Sequence, residues 1–279
     1  MLCGTNMTDI KISNRSAILR LLHEAGAMSR KQIAARLKLT PATITVIINE
    51  LMNESILVEG NSVPNAGAVG RREVMVEISR EKYVALGLAL SQGLVKFTVV
   101  NLHGEIIHEE TFKLPEILTP EYFAETIGRQ IQLKIASYGY SENFIIGIGI
   151  TVCGVVDFAN GIILDSDGIW EEKNVPIVKM FRKQFSFPVI AANNVRSYAN
   201  AYAFLQHDSQ LQNMLFIRNE ATMGVSLILN GQFYGGDRNL AAGIAHFTVV
   251  PNGRKCHCGK RGCLDTICLL YTSDAADDK

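Results

Sequence analysis

Three cysteines fall within eight residues, Cys256, Cys258 and Cys263, in the run Cys-His-Cys-Gly-Lys-Arg-Gly-Cys. His246 stands ten residues before the first of them, and His257 lies between the first two. Three thiolates and one imidazole complete a tetrahedral zinc sphere. Such a site has no position left for water, so it is structural rather than catalytic. The opening Met1-Leu-Cys-Gly-Thr-Asn-Met7 lacks the basic and apolar segments of a secretory leader. In a reducing compartment, clustered thiols argue for metal rather than disulfides. Lys255, Lys260 and Arg261 around the cysteines argue against a chance grouping of core residues. Spacing alone leaves both histidines as the fourth ligand.

A second group of residues has the pattern of nucleic-acid contact. Asn14 to Ala25 reads as a helix with Ile18, Leu19, Leu21 and Leu22 on one side, stopped by Gly26. Ser29-Arg-Lys-Gln32 is a capping box opening a second helix that turns Ile33, Ala34 and Leu37 inward. Thr40-Pro41 caps and starts a third, with Ile44, Ile47, Ile48 and Leu51 on its buried stripe. The opposite face carries Ala42, Thr43, Thr45, Val46 and Asn49, all small or polar. Two short helices joined by a tight turn form a helix-turn-helix. The strand Ile56–Val58, a glycine-rich loop to Gly70, Arg71-Arg72 and the strand Val74–Ile78 then read as a wing, its arginines placed for phosphate or minor groove. Arg30, Lys31, Thr40, Thr43, Thr45, Val46, Asn49, Arg71 and Arg72 are the candidate DNA-contacting residues. The reading helix offers no Arg or Gln, so base recognition rests on methyl contacts from Thr43, Thr45 and Val46, with Asn49. The competing reading, a trihelical packing unit, explains neither the wing nor the arginine pair.

Composition sets the frame around these groups. The 279 residues suggest two domains, and 48% hydrophobic residues exclude wholesale disorder. The 27 basic and 27 acidic residues cancel, but unevenly: residues 1–80 carry ten against seven, the remainder seventeen against twenty. A basic head on an acidic body suits nucleic-acid contact at the head. No apolar run reaches the ~18–20 residues of a membrane-spanning helix. The longest candidate, Phe144 to Val156, is short and holds three glycines. The expectation is a cytoplasmic protein without membrane contact.

From Tyr83 the pattern turns to strands at Val84–Leu90, Val95–Val100 and Glu105–Phe112, with a turn at Asn101–Gly104. A helix over Pro120–Tyr138, a strand Phe144–Thr151, a helical segment near Val175–Phe185, a strand Val189–Ala192 and a helix Val195–Leu205 follow. Strands at Met214–Arg218 and Val225–Leu229 come next, with the hairpin signal Asn230-Gly231. Two meander-plus-helix units predict an α/β fold: a winged helix-turn-helix followed by an actin-like, ribonuclease H-like duplicated domain.

The run Gly147-Ile-Gly-Ile-Thr-Val-Cys-Gly-Val-Val-Asp157, then Asn193-Asn194, then His246 and the cysteine block, resembles in order the pattern of the ROK family (repressors, open reading frames, sugar kinases). The resemblance covers residues 10–267. With the winged head it points to the ROK transcriptional regulators, a group with xylose and N-acetylglucosamine repressors. It implies His246, Cys256, Cys258 and Cys263 as the Zn2+ ligands, in preference to His257. It also implies a sugar cleft to which Asn193, Asn194 and His246 contribute.

The sequence departs from the family's kinases in four places. Their Asp-x-Gly-x-Thr phosphate turn aligns with Ala89-Leu-Ser-Gln-Gly93, and their second phosphate loop with Glu220-Ala-Thr-Met-Gly224. Their Asn-Asp pair, whose Asp is the base, reads Asn193-Asn194, and an amide accepts no proton from a hydroxyl at neutral pH. The Glu of their Glu-x-Gly-His motif falls on Gly243. No ATP and no catalytic residues are therefore expected.

Residues Cys268 to Asp278 match, residue for residue, one reading frame of a widely used transposase sequencing adapter, so 268–279 are expected to be adapter translation; the other reading is a natural acidic tail. Met7 serves as well as Met1 for a start, and ROK proteins continue past the zinc loop into further helices. The predicted layout is a winged helix-turn-helix at 10–80, a truncated ROK domain at 81–267 and the tail. The predicted function is a repressor of carbohydrate-metabolism genes that binds operator DNA, senses a sugar or sugar phosphate, and is a homodimer or tetramer at full length. The alternatives are a ROK sugar kinase with an appended head and a DNA-binding protein without effector.

Overall fold

The computed structural model describes residues 6–60, 73–91, 93–115, 118–205, 212–219, 223–236, 244–256 and 258–267. They fall into two compact units. One draws on residues up to 86, 98–109 and 140–146; the other on 87–97, 110–139 and 147 onward.

The first unit opens with α1 (Met7–Ala25), β1 (Met28–Ser29), α2 (Arg30–Leu37) and α3 (Pro41–Asn53). β2 (Leu57–Glu59) and β3 (Met75–Ile78) close the wing. The helices start where their capping residues dictate. The Ser29 hydroxyl accepts from the Gln32 amide while the Gln32 side chain accepts from the Ser29 amide. Thr40 caps α3 ahead of Pro41 in the same way. Lys38 closes α2 in the left-handed region, at φ 54°. α1 begins at Met7 rather than near Asn14, because Asn6 and Asp9 form a further capping box that apolar periodicity does not register. The turn before α2 also pairs: β1 joins β3, giving the order β1-β3-β2. Ile18, Leu22, Ile33, Ile44, Ile48, Leu51 and Leu57 fill the core, each nearly or wholly buried. Full burial of such a side chain stabilises by roughly 1.5–3 kcal/mol.

The end of α3 is held from several sides within this unit. Arg15 of α1 forms an ion pair with Glu54, the residue capping α3. Tyr83 donates to the Glu54 carbonyl at 3.1 Å, and Lys82 donates to the Ser55 hydroxyl at 3.0 Å. The Lys82 ammonium also sits 4.6 Å above the Phe144 ring.

Past Lys82 the strands are β4 (Val84–Ser91), β5 (Leu94–Asn101) and β6 (Ile106–Lys113). They are followed by α4 (Pro120–Ser137) and β7 (Ile145–Val152). β8 (Val155–Asp157) and β9 (Ile162–Asp165) form a hairpin, α5 (Ile177–Phe181) follows, and β10 (Val189–Asn193) completes a sheet of order β10-β7-β4-β5-β6. β10 lies parallel to β7, with Asn193 opposite Val152, which brings the C-terminal ends of both strands together.

In the second unit α4 buries Phe123, Ile127 and Ile131 at helical spacing, and Phe123 packs against Trp170 and Phe181. α6 (Asn194–Leu205) leads to the antiparallel strands β11 (Met214–Asn219), β12 (Met223–Leu229) and β13 (Gln232–Phe233). β11 exposes alternate residues, Leu215 and Ile217, on one face. The helical segment expected near 175–185 shrinks to the five residues of α5, and beyond it Phe185 and Phe187 stack on each other. The predicted α/β architecture, with a winged head before a meander-and-helix body, is the observed one.

Candidate functional site

On the head, the outward face of α3 is nearly without free hydrogen-bonding groups. The Thr45 hydroxyl donates to the Pro41 carbonyl at 2.8 Å, and the Thr40 and Thr43 hydroxyls share a hydrogen bond of 2.8 Å. What remains outward is apolar: the Thr45 methyl and Val46, which is 57% exposed. Asn49 accepts from the Arg30 guanidinium at 3.3 Å, while the buried Arg30 Nε has no partner among the described residues. Arg30, Lys31, Pro41 and Thr45 line a shallow basin of about 400 Å³ between α2 and α3. The structure thus gathers Arg30, Lys31, Thr40, Thr43, Thr45, Val46 and Asn49 on these two helices and their junction. Arg71 and Arg72 lie outside the described residues.

In the second unit the ends of β7 and β10 open onto a cleft of about 700 Å³. Asn193 lines it, but its amide is committed: Nδ2 donates to the Gly154 carbonyl at 2.8 Å, and Oδ1 accepts from the Val195 and Arg196 amides. Asn193 therefore caps α6. Asn194 spends only its oxygen, on the Val195 amide, so its Nδ2 has no partner among the described residues. Gly154 cannot be replaced, since its φ is 121° and an added Cβ would lie 2.1 Å from the Asp165 carbonyl. Opposite, the Cys153 thiol donates to Asp167 at 3.2 Å, and Asp165 pairs with Lys173 at 2.9 Å. The Lys173 ammonium, and then the Asp167 amide, hold the Asp165 carboxyl below its ordinary pKa. Arg196, stacked between Phe158 and Phe233, also lines the cleft, and sequence reading had passed it over. The available signal was a basic residue two positions after the strand-to-helix junction.

The four candidate metal ligands converge beside this cleft. One donor atom from each of His246, Cys256, Cys258 and Cys263 lies within 4.8 Å of the others. His246 Nδ1 is 3.6 Å from the Cys256 sulfur, and the Cys258 and Cys263 sulfurs are 3.6 Å apart. A tetrahedron with bonds of about 2.3 Å has edges of about 3.8 Å, so the donor set fits zinc. A tight knuckle produces the spacing: Cys256 N–H donates to the Lys260 carbonyl, Gly259 N–H returns to the Cys256 carbonyl, and Thr248 bridges to Cys263. Gly262, at φ 70°, leaves no room for a Cβ against the Val250 carbonyl. The basic neighbours argue that the cysteines are not core residues, yet Cys256 and Cys263 are buried and only Cys258 of the three is exposed. The charged residues point outward from a knuckle whose sulfurs turn in. Burial, and then the adjacent sulfurs, push the Cys263 thiol up to about 11, whereas the Lys260 backbone amide draws Cys258 below its ordinary value. A divalent cation favours the thiolates and reverses that penalty. His246 and Cys258 also line the cleft. His257 lies outside the described residues.

Residues 86–270 match the family described as ROK family. The chain belongs to the ROK family. Residues 13–58 match a winged helix-turn-helix DNA-binding family. Among curated ROK relatives, the DNA-binding transcriptional dual regulator NagC of Escherichia coli K12 is 28% identical over 262 residues, covering 94% of this chain and 64% of NagC. The xylose repressor of Bacillus spizizenii is 25% identical over 271 residues, covering 97% of this chain and 68% of the repressor. This ROK chain therefore spans about two thirds of the length of such relatives. A crystal structure of a ROK family transcriptional regulator, a homologue of the E. coli protein MLC, superposes with a TM-score of 0.76 over 97% of this chain and 69% of that one, at 24% identity. That likeness establishes the ROK fold with its winged head.

Proposed function

We propose that this chain is the operator-binding and effector-sensing part of a ROK transcriptional repressor of carbohydrate-metabolism genes. Residues 10–80 bind DNA, and residues 81–267 sense a sugar or sugar phosphate. The observation that carries the reading is the pairing of two features in one chain: a capped α3 with a small, outward, apolar face, and a ROK body whose cleft has an amide at the position of the kinase base. Relatives that share both parts bear the names of transcriptional regulators. Arg30, Lys31 and Thr40 contact phosphate or fix the helices, Thr43, Thr45, Val46 and Asn49 face the bases, and Arg71-Arg72 reach backbone or minor groove. Operator DNA places the protein in the cytoplasm, and paired half-sites call for a homodimer or tetramer of the full-length chain.

The cleft supports binding without phosphoryl transfer. Asn194 can donate to a sugar hydroxyl but cannot deprotonate one. Asn193 shapes the site by capping α6. His246, Cys256, Cys258 and Cys263 hold a structural Zn2+, which would cross-link the loop after β13 to the cleft wall. No ATP and no catalytic residue enter this reading.

The test is selection of DNA fragments by the purified chain from a random library, followed by challenge of the complex with a sugar panel. An enriched motif released by one class of sugar supports the whole reading. An enriched motif indifferent to every sugar leaves a DNA-binding protein without effector. ATP-dependent phosphorylation of a hexose would replace the reading with a kinase.

A further inference from the structure

Arg196 sits in the first turn of α6 and lines the cleft. Its guanidinium carbon is 4.9 Å from the Phe158 ring centroid and 4.8 Å from that of Phe233. Phe158 follows β8 and Phe233 belongs to β13, so two distant stretches of chain place their rings against one cation. Rings on a guanidinium attract it through their faces and leave the in-plane fork of N–H donors for other partners. Among the described residues no carboxylate pairs with Arg196.

The acidic groups that share the cleft are engaged elsewhere. Asp165 pairs with Lys173, Asp167 accepts from the Cys153 thiol, and the buried Asp265 accepts from the Met223 amide at 2.8 Å. Among the described residues the Lys173 charge is thereby matched, and the Arg196 charge is not. Half-burying an unmatched cation is unfavourable, and burial already draws this guanidinium below its ordinary pKa. An arginine placed over two rings and without a counter-charge among the described residues is arranged in advance for an oxyanion brought by a ligand, which its fork meets in bidentate fashion.

We propose that Arg196 recognises an anionic group on the effector, and that the effector is a sugar carrying an oxyanion, either a phosphate ester or a carboxylate. The anion docks on the Arg196 fork and a ring hydroxyl accepts from Asn194 Nδ2. The proposal rests on the reading of this cleft as the sensor and adds the chemical class of what it senses.

Isothermal titration of the full chain decides it. The probes are neutral hexoses and pentoses, their terminal phosphates, the matching uronic acids, and inorganic phosphate alone, each at two salt concentrations. At least one anionic sugar is expected to bind about 10-fold or more tightly than its neutral parent, with an advantage that shrinks as salt rises. The phosphate and uronate arms then tell which oxyanion is preferred. Arg196→Gln is expected to erase the preference while keeping the weak binding of the neutral sugar, which also shows that the variant folds. Arg196→Lys should recover only part of it, because an ammonium lacks the planar fork. Neutral and anionic sugars binding alike, a preference that survives Arg196→Gln, or inorganic phosphate binding as tightly as any sugar phosphate would each overturn the role of Arg196 and leave the cleft a sensor of another kind. Binding of no sugar in any class would overturn the sensor reading along with it.

Discussion

Tyr83, the residue before β4, donates its hydroxyl to the carbonyl of Glu54, the residue that caps α3, at 3.1 Å. On the proposed reading, the helix that faces DNA therefore ends on a group that belongs to the start of the body. Tyr83→Phe keeps the ring against Phe144, 5.7 Å away edge-on, and removes only the hydrogen bond. The expected cost is about 1 kcal/mol, read as a lower urea midpoint. An unshifted midpoint would mean that water replaces the phenol at no loss.

Arg15 and Glu54 give the head a pH dependence of known sign. The Arg15 hydrogen bond, and then its charge, hold the Glu54 carboxyl below its ordinary value of 4.5. A depressed folded value contributes stability above the unfolded pKa, and that contribution fades as pH falls through the folded one. The pair is partly exposed, so the gain is discounted to about 1 kcal/mol or less. The difference in urea midpoint between the wild type and Glu54→Gln is expected to be present at neutral pH and to close in acid. A difference independent of pH would assign the effect to packing.

Removal of metal should loosen the second unit. Cys258→Ser and Cys263→Ser are expected to lose bound zinc, measured by atomic absorption, and to lower the thermal midpoint. Structural zinc contributes on the order of 10 kcal/mol in small domains, so the shift should exceed that of a typical surface substitution. Full metal content in Cys256→Ser, Cys258→Ser and Cys263→Ser alike would remove the assignment.

Reading by methyl groups has a direct chemical check. Once an operator is selected, replacing thymine by uracil at one position deletes a single methyl. A contact with Val46 or Thr45 should then cost about 0.8 kcal/mol, and the same loss should vanish in Val46→Ala if Val46 is the partner. Lys31→Ala should instead weaken binding to all sequences and lower the salt slope by about one. Uracil substitutions without effect at every position would exclude methyl readout.

Much of this architecture is legible in the sequence because its signals are local. Ser29-Arg-Lys-Gln32, Thr40-Pro41 and Asn230-Gly231 each fix their own backbone, and helices and turns form where they stand. The start of α1 was missed because the Asn6–Asp9 capping box precedes any apolar residue that could register a stripe. β8 and β9 were missed because Val155–Asp157 continues an apolar run already assigned to β7 and Ile162–Asp165 is only four residues long. Cysteine spacing located the donor cluster, but not which sulfurs turn inward, since that depends on Gly262 and the Val250 carbonyl. The stacking of Arg196 needed residues 38 positions before it and 37 after it, a relation that no window of sequence displays. The commitment of the Asn193 Nδ2 was hidden for the same reason, because its partner, Gly154, comes from another strand end.

His246 and Cys258 belong to the donor cluster and to the wall of the cleft at once. On the proposed reading, the two functions cannot be tuned apart by mutation or by circumstance. A cell short of zinc would lose, in the same copies, both the clasp and the shape of the chamber it frames. Metal supply would then set how many molecules can answer their effector at all, and nutrient sensing would carry a mineral requirement written into its own wall.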